Sequence, residues 1–168
     1  MTTRKTVILA LFIAVGILLQ LMESFIPILM IVPGFKIGFA NLVSVMALMI
    51  YDRKSMWIVS LSRIFLSSLL QGTLFGISFY LSLTGGLIAL IFMTIADRTQ
   101  VFSIYGMSIL GAAGHSIGQV LMVTWIYQQY FMQLYLPILL ALSIVSGFII
   151  AMISQKMMDR LKGNVFYG

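Results

Sequence analysis

The sequence has no cysteine, only three prolines and only four acidic residues in 168. Without cysteine there are no disulfides, thiolate-held metals or iron–sulfur clusters. The acids Glu23, Asp52, Asp97 and Asp159 stand apart from one another, which leaves little material for acid–base or metal-assisted catalysis. There is no Walker motif and no HExxH, so this chain holds no phosphate loop for ATP hydrolysis and no zinc-protease helix. Charge of either sign is scarce: 8% of residues, against about 25% in an ordinary soluble domain. Ten basic and four acidic side chains cannot clothe the water-facing surface of a protein this size, and a soluble globular fold is excluded.

What is present is apolar. Hydrophobic residues make up 61% of the chain and the mean hydropathy is +1.12. Long apolar runs predict membrane spans at about 6–25, 37–51, 55–71, 76–96, 104–127 and 135–156. No alternating pattern of barrel strands occurs, so the spans are helices. Gln20, Glu23, Ser24 and Pro27 interrupt the end of the first run, and Ile28 to Val32 reads as a partly embedded loop or half-helix before Pro33 and Gly34. Basic residues preceding the apolar run have the charge order of a signal peptide, but no small-x-small cleavage site follows, so the first helix is expected to be retained.

The connections alternate in charge. Arg4, Lys5, Arg53, Lys54, Arg98, Lys156, Arg160 and Lys162, eight of the ten basic residues, fall on one side. The positive-inside bias makes that side cytoplasmic, with both termini there. The net charge of +6 is thus explained by topology rather than by nucleic acid. No linker or repeat divides the chain, and residues 1–168 read as a single transmembrane domain.

A polar side chain at mid-membrane depth costs a few kcal/mol, so each one asks for a reason. Arg63 lies about 13 Å along its helix from Lys54, near the bilayer centre, with Ser67 and Gln71 on the same face. It is either the floor of an outward-facing pocket for an anionic or carbonyl-rich ligand, or a structural cation that is paired with Glu23, capped by carbonyls or snorkelling inward. His115 and Gln119 lie one turn apart in a glycine-rich stretch, as ligand contacts or as an interhelical bond. A lone histidine makes a poor metal site. Glu23 and Lys36, the only acid and the only lysine on the outer side, either close over a ligand or sit at the interface. Asn41, in the first turn of the second span, caps, bridges or lines the pocket. Trp125, Tyr127, Tyr130 and Tyr135 read as an interfacial aromatic belt or, alternatively, a wall on which a ligand stacks. Small residues four apart, at Ala10 and Ala14, Gly72 and Gly76, Gly114 and Gly118, and Ser143, Gly147 and Ala151, let helices approach closely.

Ala10-xxx-Ala14 in the first span, the run Pro33-Gly34-Phe35-Lys36-Ile37-Gly38-Phe39-Ala40-Asn41 opening the second, Arg63, and Gln71-Gly72-Thr73-Leu74-Phe75 together resemble the S components of energy-coupling factor (ECF) transporters. The nearer likeness is to a branch known both as the Gx transporter family and as heptaprenyl diphosphate synthase component I. The resemblance spans essentially the whole chain. It implies a substrate-binding membrane subunit of the bacterial cytoplasmic membrane. Such a subunit captures a vitamin- or cofactor-precursor-like ligand from outside and docks on a transmembrane coupling subunit driven by two ATPase subunits. ATP would be used by those partners, and this chain would need no cofactor or metal and would not be an enzyme. By the same resemblance Ala10 and Ala14 are the docking face. The pocket holds Arg63, Gln71, Asn41, His115, Gln119, Lys36 and Glu23, lidded by residues 23–39. The alternative is the membrane component of a heptaprenyl diphosphate synthase, although prenyl diphosphate synthesis needs clustered aspartates to hold magnesium and these aspartates are single. A solitary carrier that works without ATPases is a third possibility.

Overall fold

The computed structural model describes residues 3–24 and 38–162, and these form six α-helices with no strand among them. The segment 25–37, with Lys36 and the half-helix expected at Ile28 to Val32, lies outside the described residues. The helices are α1 (Thr3–Ser24), α2 (Asn41–Ile50), α3 (Arg53–Leu70), α4 (Ile77–Thr99), α5 (Ile104–Tyr127) and α6 (Leu136–Lys162), with a 3-10 segment at Tyr130–Tyr135 before α6.

Local chemistry sets the ends. Gly38 adopts φ +81, and Asn41 N–H donates to its carbonyl at 2.7 Å, so α2 begins four residues later than the apolar run predicts. Asp52 caps α3 by accepting from Ser55 N–H at 2.6 Å, which draws Arg53 and Lys54 into the helix. α3 stops in a Schellman turn: Gly72 sits at φ +65, its N–H donates to Leu69 O, and Thr73 N–H donates to Ser68 O. Gly72 and Gly76, spaced like packing residues, therefore build the α3–α4 turn instead.

Four helices, α1, α4, α5 and α6, are long and apolar enough to cross a membrane. α2 differs from the span expected at 37–51. It has 10 residues, about 15 Å of helix against a hydrocarbon core of about 30 Å. Its apolar run serves another purpose, since Leu42 to Leu48 are all buried, whereas α1 leaves Val7, Leu11, Leu18 and Met22 about 60% exposed. α2 is thus buried against α1, α3, α5 and α6. α3 spans 18 residues but mixes its apolar side chains with serines and Arg63.

Glycine sets the closest approaches. A Cβ at Gly118 would lie 2.6 Å from Thr84 O and 2.7 Å from Gly85 Cα, joining α4 to α5 backbone to backbone. A Cβ at Gly147 would lie 2.7 Å from Ile109 Cα, and Ser108 Oγ donates to Gly147 O at 2.8 Å, joining α5 to α6. Among the described side chains, the basic ones outside α3's interior gather at one end of the bundle, where Lys5 pairs with Asp52 and Arg53 with Asp97. Trp125 and Tyr130 stand exposed at the other end.

Candidate functional site

Polar side chains from all six helices or their entries meet at a cavity in the half away from the charged end. α1 contributes Gln20 and Glu23, the entry to α2 contributes Gly38 and Asn41, and α3 contributes Arg63. α4 supplies Ser82, α5 supplies His115 and Ser116, and α6 supplies Ser143 and Ser146. The room open to the centres of water molecules is about 40 Å³. At about 10–15 Å³ for each such position, that is space for a few waters.

Arg63 is 6% exposed. Its Nη1 donates to Gln20 Oε1 at 2.8 Å, while its Nε is buried with no hydrogen-bond partner. Glu23 supplies the counter-charge that Arg63 feels, and its Oε1 accepts from Gly38 N–H at 2.6 Å. That bond ties the end of α1 to the turn that starts α2. The serines are mostly engaged among themselves: Ser116 and Ser143 hydroxyls lie 2.7 Å apart, and Ser146 donates to Ser143 O at 3.3 Å.

Two glycines make the cavity possible. A Cβ at Gly16 would lie 2.6 Å from Arg63 Cδ and 2.8 Å from Val43 Cγ2, so only glycine lets the arginine side chain pass α1. A Cβ at Gly85 would lie 2.9 Å from both Cε1 and Nδ1 of His115. Arg63 and His115 thus rest on gaps left in neighbouring helices.

The structure brings together Arg63, Asn41, His115 and Glu23 of the residues singled out from the sequence. Gln71 is not in the cavity. It caps the C-terminus of α3 and is exposed, because the helix ends before the Arg63 face extends that far. Gln119 is 3% exposed with its Oε1 unpartnered, but lies beyond the cavity lining, which takes only Ala112, His115 and Ser116 from α5. Lys36 lies outside the described residues. Gln20, Ser82, Ser116, Ser143, Ser146 and the two glycines were not singled out from the sequence as site residues. A glutamine on the same α1 face as Glu23 was the one usable signal. Among the described residues no three His, Asp or Glu side chains are placed to hold a metal ion. Ala10 and Ala14 are exposed on α1, in a stripe with Val7, Leu11 and Leu18.

The family model for heptaprenyl diphosphate synthase component I matches residues 12–157, through all six helices. The chain belongs to this family. It is an ECF S-component-like family, and its match runs across every cavity-lining residue of α1 to α6. No curated protein and no solved structure matches the chain. Membership and the apolar helices together make this component-I family protein a membrane protein.

Proposed function

We propose that the protein is the substrate-binding S component of an ECF-type importer, with six membrane-embedded helices and both termini cytoplasmic in the bacterial cytoplasmic membrane. The buried Arg63, with an unpartnered Nε at a polar cavity, is the observation that carries this reading. A membrane helix tolerates such a group when it meets a partner or a ligand path. The eight basic residues at the charged end orient the bundle by the positive-inside bias, and the cavity half then faces outward.

Arg63, with Asn41, His115 and Glu23, contacts a small ligand, and the donor-rich guanidinium selects an anionic or acceptor-rich group. Gln119, buried one turn beyond His115 on α5, supports the site from outside the cavity lining. A vitamin- or precursor-sized ligand exceeds the room in the cavity, so admission requires the residues around it to part. ATP is consumed by two partner ATPases through a coupling subunit, and this chain, in our reading, performs no catalysis and binds no cofactor. Ala10 and Ala14 support docking of that subunit because a small-residue stripe on an exposed helix lets another helix approach closely.

The test is affinity purification of the tagged protein from its native membrane, followed by native mass spectrometry. Recovery of a coupling subunit, ATPases and a retained small molecule is the expected result. Recovery of an aspartate-rich prenyl synthase in their place would overturn the reading in favour of the synthase component that the family's description names. The double variant Ala10→Trp, Ala14→Trp is expected to lose the coupling subunit while keeping the ligand.

A further inference from the structure

At the charged end, α3 and α4 border a second concavity, an open cleft of about 980 Å³. Its walls include Tyr51, Arg53, Lys54, Trp57, Ile58 and Arg98. The ion pairs there are already made: Asp52 is taken by Lys5, and Asp97 by Arg53. Lys54 and Arg98 are exposed, and their side chains have no ion pair or hydrogen bond among the described residues. The cleft therefore keeps two uncompensated positive charges, one from each helix.

Below each cation the helix face turns apolar. On α3, Ile58 follows Lys54 by one turn and Phe65 lies two turns further, 40% and 47% exposed. On α4, Ile95 and Ile91 precede Arg98 at three- and four-residue steps and are 55% and 44% exposed. Trp57 donates from Nε1 to Thr94 Oγ1 at 3.0 Å, fixing an indole between the two helices at the level where charge gives way to hydrocarbon. Two free cations over two apolar tracks match one kind of partner, an anionic head with acyl chains beneath it.

We propose that this cleft is a binding site for an anionic phospholipid, whose phosphate lies between Lys54 and Arg98 and whose chains run along Ile58 and Phe65 on one side and Ile95 and Ile91 on the other. Basic pockets between helices at a membrane surface take anionic headgroups, and each basic side chain contributes roughly fivefold to the affinity. The site is separate from the Arg63 cavity and does not depend on the transport reading.

The experiment is native mass spectrometry of the intact, detergent-solubilised protein titrated with phosphatidylglycerol or with phosphatidylcholine of the same chains. Wild type is expected to retain phosphatidylglycerol in preference. K54Q/R98Q is expected to bind it roughly 30-fold more weakly, and K156Q/R160Q, which removes the same charge from α6 at the same end, to match wild type. The single variants K54Q and R98Q, each about fivefold weaker, serve if the double variant does not stay monodisperse. Equal retention of the two lipids, an unchanged K54Q/R98Q, or an equal loss in K156Q/R160Q would overturn the proposal. Displacement of phosphatidylglycerol by an equal concentration of inorganic phosphate would also overturn it, by identifying a free-phosphate site.

Discussion

Arg63 is the residue around which the interior is arranged. Its guanidinium is held by Gln20, faces the charge of Glu23, and reaches the cavity only because residue 16 has no side chain. A charge-assisted hydrogen bond contributes about 1.5–3 kcal/mol, so Arg63→Ala is expected to weaken retention of the co-purified ligand by about 10- to 100-fold, measured by equilibrium dialysis. Size-exclusion chromatography of that variant should stay monodisperse; unchanged affinity would remove Arg63 from the site. Gly16→Ala tests the same group indirectly. The added methyl overlaps Arg63 Cδ and Val43 Cγ2, and overpacking of this kind costs about 1–3 kcal/mol. We expect a lower thermal midpoint together with weaker ligand retention, whereas a purely structural glycine would lower the midpoint alone. Arg63, His115, Asn41 and Glu23 were legible in the sequence because the cost of a polar group in lipid is a one-residue argument. The serines were not, because a serine can bond within its own helix, as Ser143 does to Leu139 O, and gives no sign of which face it lines.

At the scale of elements, α3 is the helix most dependent on its ends. Asp52 caps it and binds Lys5 of α1 at 2.8 Å, and these bonds, led by that to Lys5, hold its carboxyl down at about 2 from an ordinary 3.8. A lowered folded pKa means that the stabilisation is complete above about 3.8 and is lost as pH falls through about 2. Asp52→Ala is therefore expected to cost about 1 kcal/mol at neutral pH, and to lose the part of the wild type's acid destabilisation that falls between those two values. Thermal melts from pH 7 to pH 2 would check both. Gly118→Val presses on the α4 backbone itself and cannot be relieved by a rotamer change, so we expect a larger loss than for Gly16→Ala, read in the same melts. The element boundaries were legible where an apolar run coincided with a helix long and apolar enough to cross a membrane, as at 104–127 for α5. They were not for α2, where the run continued through Gly38 but the helix could not, and where the apolar residues meet the core rather than lipid.

For the whole molecule, the natural absence of cysteine permits a direct test of orientation. Single cysteines in place of Thr3 and Gln100, at the charged end, should react with a membrane-impermeant maleimide only after the membrane is opened. A cysteine in place of Phe75 or Tyr130, at the opposite end, should react in intact cells; the reverse pattern would invert the topology. The sequence by itself determined the membrane class, the helical content and the sorting of charge to one end, because hydropathy and the positive-inside bias are summed over many residues and need no neighbours. Only the tertiary structure decided that a 10-residue α2 is buried against its neighbours, that Gly16 and Gly85 yield space to Arg63 and His115, and that Gln71 stands apart from the cavity. It also decided that Lys54 and Arg98, distant in sequence, share a cleft. These are facts about which helix faces meet, and a periodic apolar pattern gives each helix a face without saying what lies opposite it.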